Sequence, residues 1–257
     1  MREEMPILLE EMTWPEVERA IRDGRTTVVV AVGAVEQHGP HLPLLVDAAR
    51  GGRLAQEVAT RLSDALVAPT ISVGCSEHHM GFAGTLSLRR HTLQAICLDY
   101  TVSLARHGFR RVCFVPSHGG NFAPLADMLE DLRAAVAPDC RVDAYTDLVG
   151  FIEIWREAVL AVAPGLEHAV GGHADIAESS EMLCIRPDLV REERAEAGHV
   201  ARFDRALMDR IFKHGFRAVT PNGILGDPRG MSVEIGEACI RRAADRIASE
   251  LGADGGA

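Results

Sequence analysis

The sequence predicts an α/β protein of three layers, α/β/α, with helices on both faces of a mostly parallel central sheet. Three observations predict it. Short apolar runs rich in β-branched residues recur four times and alternate with longer helical stretches. No hairpin turn signal joins one run to the next. The runs are also apolar throughout, as strands covered on both faces must be. At 257 residues the chain sits at the upper end of one domain, so residues 1–257 are expected to form a single domain with 251–257 as a flexible tail.

Thr13 followed by Glu16 has the form of a capping box, which predicts a helix from Trp14 to about Asp23, stopped at Gly24. Strand one follows, Thr26 to Val32. Asp47 can serve as N-cap of a helix from Ala48 to about Leu62. Ala65 to Ile71 reads as strand two, and Ser72 to Gly84 as a polar loop carrying Glu77, His78 and His79. A helix from about His91 to His107, stopped by Gly108, leads into strand three, Arg111 to Pro116. Asn121 is placed to cap a helix reaching about Ala135, and Cys140 to Tyr145 is strand four. After Gly150 the pattern is less regular. Pro164 to Ala177 is a glycine-rich polar stretch before a helix from Glu178 to Cys184, and Asp188 to His199 is charged and exposed in character. A turn-rich loop, Gly223 to Pro228, precedes a C-terminal helix from about Ser232 to Leu251.

Composition narrows the function. With 47% hydrophobic and 25% charged residues the chain is an ordinary globular sequence. The formal charge of -10 argues against a nucleic-acid partner, which would demand a basic patch. No apolar run approaches the roughly 18 residues of a membrane span, and Met1 to Met5 lacks a basic leader, so a cytoplasmic protein with no membrane partner is expected. The six cysteines are far apart with no C-x-x-C pair, which fits reduced thiols acting as small hydrophobes.

The chemistry concentrates where strand one ends. Within a dozen residues come Glu36, His38 and Asp47, held among glycine and proline. Two carboxylates and an imidazole are a donor set that zinc, manganese or iron accepts. Ligands of parallel sheets bind at the carboxyl ends of the strands, so His118, at the end of strand three, can join them if strands one and three are neighbours. Other sites are excluded. Gly33 to Gly39 lacks the G-x-G-x-x-G spacing of a dinucleotide loop and places an acid where a pyrophosphate would lie. No Walker-A motif and no G-x-S-x-G elbow occurs, and Ser117 beside His118 is not a triad.

These residues also resemble a known family. Gly33-x-x-Glu36-Gln37-His38-Gly39-Pro40-His41-Leu42-Pro43 with Asp47, then His118-Gly119-Gly120-Asn121, then His173 five residues before Glu178-Ser179-Ser180, are similar to the creatininase (creatinine amidohydrolase) family. Gly81 to Ser87 and Gly223-x-x-Gly226-Asp227-Pro228 extend the likeness to roughly residues 12 to 250. The resemblance implies a cofactor of two divalent ions (Zn, Mn or Fe) per subunit, with Glu36, His38, Asp47 and His118 at metal positions and Asp47 bridging. It implies His173 as the catalytic histidine, in preference to His168, and a homohexamer.

Several residues depart from the pattern. Creatininase has a metal-binding glutamate where this chain has Gly120, and Glu178 is the expected replacement. Creatininase has a tyrosine where this chain has Gly119. It also has pocket tryptophans for which only Trp155 is a loose counterpart, in a chain with two Trp and two Tyr. Creatinine is therefore displaced as the expected substrate. The expectation is a metal-dependent amidohydrolase acting on a small-molecule amide or other non-standard C–N bond. A mycofactocin-type precursor peptide peptidase, a catalytically silent metal-binding scaffold and creatinine/creatine interconversion are the alternatives. Gly119 and Gly120 would admit the substrate backbone closely. Glu77, His78 and His79 are expected at the pocket rim, although solvation of a polar loop explains them equally.

Overall fold

The computed structural model describes residues 7–62, 64–200 and 204–253. A four-stranded parallel sheet lies at its centre, built from β1 (Thr27–Val32), β2 (Ala65–Val67), β3 (Arg111–Pro116) and β4 (Arg141–Ala144) in the order β2-β1-β3-β4. All six residues of β1 are buried, because both faces of the sheet are covered. Val29 and Ala31 pack with Cys113 and Val115 against α2 (Val46–Arg61), α5 (Leu148–Val162) and α8 (Val233–Ala253). Val28, Val30 and Val32 pack with Val112 and Phe114 against α3 (Arg90–Arg106) and α4 (Gly119–Val136). Alternate strand residues thus serve opposite helical layers, and the expected three-layer α/β/α class with a parallel sheet is the observed one.

The order of strands positions the site. β1 runs beside β3 with Val32 opposite Pro116, so the loops leaving both strands emerge side by side. The chain turns outward to β2 on one flank and to β3 and β4 on the other, which makes the gap above β1 and β3 the switch point where such sheets hold ligands. At Gly33 a Cβ would come within 2.7 Å of Ala48 Cα, so only glycine lets the start of α2 pack onto the end of β1.

Three expected helix starts are corrected. Asp47 is not an N-cap: Leu45 holds that place and Asp47 lies in the first turn of α2, its carboxylate turned to His38 and His118. Asn121 does not cap α4, which begins at Gly119. Its side chain donates to the Val32 and Gly33 carbonyls at 3.1 and 2.9 Å and accepts from the Cys75 amide at 3.0 Å, tying three loops together. The helix carrying Glu178, α6 (Ile176–Ile185), starts earlier, because the Asp175 carboxylate accepts from the Ala177 and Glu178 amides. α1 (Trp14–Arg22) opens as expected, with the Thr13 amide donating to Glu16.

The sequence did not yield α5, whose apolar residues surround most of the helix, nor α7 (Arg205–His214). Part of the glycine-rich stretch before α6 is a strand, β5 (Val170–His173), paired antiparallel with the two-residue β6 (Leu225–Gly226). α8 continues through Ala253, past the expected start of the tail. Residues 254–257 of that tail, and Met1 to Met5, lie outside the described residues. Among the described residues no helix is long and apolar enough to cross a membrane, and none of the six cysteines forms a disulfide.

Candidate metal centre

Side chains distant in the sequence meet above β1 and β3. Glu36 and His38 come from the loop after β1, Asp47 from the first turn of α2, His118 from the end of β3, His173 from the end of β5 and Glu178 from the first turn of α6. Their ligand atoms gather in three groups: Glu36, Asp47 and His118; His38, Asp47 and Glu178; Glu36, His38 and His173. Asp47 belongs to two of them through different oxygens. Its Oδ2 is 3.3 Å from His118 Nδ1 and its Oδ1 3.6 Å from His38 Nε2. That is the arrangement of a carboxylate that bridges two ions.

Each histidine is held by a main-chain carbonyl on the side away from the carboxylates. His38 Nδ1 donates to the Glu36 carbonyl at 3.2 Å, leaving Nε2 directed at Asp47 and Glu178. His118 Nε2 donates to the Cys75 carbonyl at 3.1 Å, leaving Nδ1 directed at Glu36, 3.1 Å away, and Asp47. His173 Nε2 donates to the Gln37 carbonyl at 2.8 Å, and its Nδ1 stands 3.9 Å from both Glu36 and Glu178. A carbonyl on one ring nitrogen fixes the tautomer and leaves a lone pair on the other, the usual outer support of a metal-binding imidazole.

The buried polar atoms test whether a cation fits. Glu36 Oε1 and Oε2, His38 Nε2 and Asp47 Oδ2 are all buried without a hydrogen-bond partner. Such orphaned acceptors are rare in native interiors, and four converging on one point call for a positive charge. Buried Asp47, Glu178 and Glu181 all face the guanidinium of Arg50, and buried Glu36 beside them faces the imidazoles of His79, His118 and His173. The field shows in the histidines as well. Burial opposes a charge on His38, yet Asp47 and Glu178 outweigh it and raise the imidazole to about 9. His118 is raised too, against its burial, by Glu36 and Asp47. Burial lifts Glu178 to about 7 although Arg50 and His38 pull it down. His173 behaves oppositely: burial, reinforced by His38, holds it well below the usual imidazole range, so it stays neutral. Glu36, Asp47 and His118 could hold one divalent ion, and His38, Asp47 and Glu178 could hold another.

A cleft of about 390 Å³ opens over this centre. Glu36, His118, His173 and Gly119 form its floor, His78 and His79 one side, and Met208, Ile211, Phe212 and Phe216 an apolar wall. Of the residues expected to touch substrate or form the rim, Gly119, His78 and His79 line the cleft. Glu77 does not: it is exposed, because successive residues of the tight 3-10 turn Glu77–His79 point in different directions and the two histidines occupy the inward ones.

Gly120 does not line the cleft either. A Cβ there would lie 2.1 Å from the Cys75 carbonyl oxygen and 2.5 Å from His118 Nε2, so the space is already filled. Installing the family's carboxylate by Gly120→Glu is accordingly expected to lower stability by about 1–3 kcal/mol and to add no ligand. Thermal unfolding with metal analysis measures both effects, and a folded variant with tighter metal binding would refute the steric argument.

His79, expected at the rim, lines the cleft with its Nε2 3.2 Å from Glu36 Oε1, and its Nδ1 accepts from the Gln37 amide at 3.1 Å. Two residues at the site, Arg50 and Glu181, escaped the sequence reading. Both lie beneath Glu178. Their signal is spacing alone, three residues after Asp47 and after Glu178 on the same helix faces. Trp155, 2% exposed, lies against Arg50 with its indole N–H donating to Glu181, and it lines not this cleft but a smaller adjoining space that shares His118, Gly119 and His173 with it. His168, the rejected counterpart of His173, is exposed.

The chain is similar in sequence and fold to several known proteins. The family model described as creatininase, creatinine amidohydrolase, matches residues 10–251. The mycofactocin precursor peptide peptidase of Mycolicibacterium smegmatis is 34% identical over 86% of this chain and 83% of its own. The creatinine amidohydrolase of Pseudomonas putida is 31% identical over 95% and 97%. A crystal structure of creatinine amidohydrolase superposes with a TM-score of 0.79 at 30% identity, covering 97% of this chain and 98% of that one. Solved creatininases described as Zn-Zn type and as creatininase Mn give TM-scores of 0.77 and 0.75 at 27% identity, each covering 97% of this chain and 98% and 99% of their own.

Proposed function

This chain belongs to the creatininase family, and on that premise we propose that it is a two-metal amidohydrolase cleaving a small-molecule amide or another non-standard C–N bond. The observation that carries the reading is Asp47, whose two oxygens serve two separate donor sets. When bound, the ions polarise the amide carbonyl and lower the pKa of water from about 15.7 toward 7. His173 Nδ1, neutral and facing the centre, takes a proton from the attacking water and hands it to the departing nitrogen. The Gln37 carbonyl keeps the ring oriented for that transfer. The apolar wall from α7 excludes water and packs an apolar part of the substrate. Glu178 in the second donor set supports an active enzyme over a silent scaffold.

A mycofactocin-type precursor peptide peptidase is the second reading, favoured by the identity to the Mycolicibacterium smegmatis enzyme. Creatinine is disfavoured because neither tryptophan nor tyrosine is among the lining residues of the cleft, Trp155 lining only the adjoining space and being held by Glu181. A cytoplasmic homohexamer completes the proposal. A hydrolysis screen over small amides, peptides and creatinine, with Zn²⁺, Mn²⁺ or Fe²⁺ supplied, tests the function. Turnover of small amides supports the first reading, turnover of peptides alone the second, and none with any metal the scaffold.

Metal uptake should depend on pH with a definite sign. Ions compete with protons for these ligands, and a raised pKa keeps the proton in place to higher pH. With His38 raised to about 9 and Glu178 to about 7, apparent affinity should climb by at least about one decade per pH unit between pH 7 and 9, and more steeply below 7. Competition with a chromophoric chelator from pH 6 to 9 measures the slope, and a flat profile would exclude this ligand set.

A further inference from the structure

We propose that Arg50 is the positioning residue that makes Glu178 serve as the ligand missing at Gly120, by holding one carboxylate oxygen so that the other faces the second metal position. The proposal rests on the two-metal reading above.

Arg50 projects from α2 into a buried space beneath the centre and is 3% exposed. Its Nη1 donates to Glu178 Oε1 at 2.6 Å, while Glu178 Oε2 points back at His38 Nε2, 3.5 Å away. The Ala174 amide donates to that same Oε2 at 2.6 Å from a left-handed backbone, φ +53°, which a residue with a Cβ rarely adopts. Both oxygens are therefore directed, and only Oε2 is turned to the metal position. Nη1 also lies 3.4 Å from Asp47 Oδ1, so one guanidinium reaches two carboxylates of the same donor set.

Arg50 is itself clamped. Its Nε donates to Glu181, one turn along α6 from Glu178. Glu181 also accepts from the Trp155 indole at 3.0 Å, and the Trp155 ring lies under the guanidinium at 4.7 Å. Two carboxylates approached in two directions by one rigid planar group is a task for arginine, which a lysine ammonium cannot perform. The position of Gly120, closed to any side chain, gives the device its purpose: the second ligand must come from α6, and α6 must be locked to α2 for it to arrive.

Three variants decide the matter: Arg50→Met, Arg50→Lys and the double variant Arg50→Met/Glu181→Gln, which removes the clamp's charge on both sides. Each is titrated calorimetrically with Zn²⁺, and thermal unfolding is recorded on metal-stripped protein. Wild type is expected to take two ions per chain. In all three variants one site should weaken about 10- to 100-fold while the other changes less than about threefold, as for loss of an outer support. The double variant, relieved of Glu181's unpaired charge, should melt near wild type when metal-stripped and still lack the tight second site. Two tight sites in the double variant would reduce Arg50 to a charge balance for Glu181 and end the proposal. Two tight sites in Arg50→Lys would show that a charge without the fork suffices, with the same result. Fewer than two ions in wild type would instead remove the two-metal reading on which it stands.

Discussion

Asp47→Asn protein is expected to bind neither ion tightly and to lose activity by about a thousandfold or more, roughly 4 kcal/mol of transition-state stabilisation at 1.4 kcal/mol per decade. The reason is geometric. Asp47 is shared by the donor set of Glu36 and His118 and by that of His38 and Glu178, so removing its charge weakens both sets together. Loss of Glu178, by contrast, touches one. The asparagine amide keeps the volume of the carboxylate, and the α2 turn that carries it is capped at Leu45 without its help, so the fold should persist. Metal analysis beside a thermal melt is the measurement. Two ions retained per folded chain would remove Asp47 from the bridging position.

His173→Ala is expected to lower kcat by about a hundred- to ten-thousandfold while leaving two ions bound, the span typical of a lost proton-transfer group. The metal content matters because His173 also lies within reach of Glu36 and His38 in a third ligand-like group. Its 3.9 Å separation from both Glu36 and Glu178 is the longest among the histidine–carboxylate contacts of the centre. A ligand role would cost an ion as well as activity, whereas a proton-transfer role costs activity alone. Loss of one ion would therefore reassign His173 as a ligand.

Much of this centre was legible in the residues. Glu36, His38 and Asp47 announce themselves because a buried strand ends in a glycine- and proline-rich loop that crowds three metal donors into a dozen positions. His118 follows the same logic at the end of strand three, whereas His173 came from the family resemblance alone, its strand β5 lying in a stretch read as glycine-rich and polar. Their convergence needed one further fact, that β1 and β3 are neighbours, which the register of Val32 with Pro116 supplies. The helix starts at Asp47 and Asn121 were misread because each side chain that could have capped a helix found a stronger engagement across the structure. α5 and α7 were missed for different reasons. α5 buries one face, but apolar Val149 and Leu160 on its exposed side blur the polar stripe, and α7 stands alone in a stretch without a neighbouring strand signal.

The sequence by itself determined the layer architecture, the candidate metal donors Glu36, His38, Asp47 and His118 and, through Gly119 and Gly120, the departure from the family pattern. These are local properties, set by which side chains a short stretch contains and which backbone conformations its glycines and prolines allow. Only the tertiary structure decided that Glu178 stands opposite His38, that Arg50 and Glu181 lock it there, that Glu77 faces solvent while His79 faces Glu36, and that α7 walls the cleft. Arg50 and Glu178 are 128 residues apart. Such pairs form only when α2 and α6 pack over one sheet, and no local pattern records a contact made by the packing of distant elements.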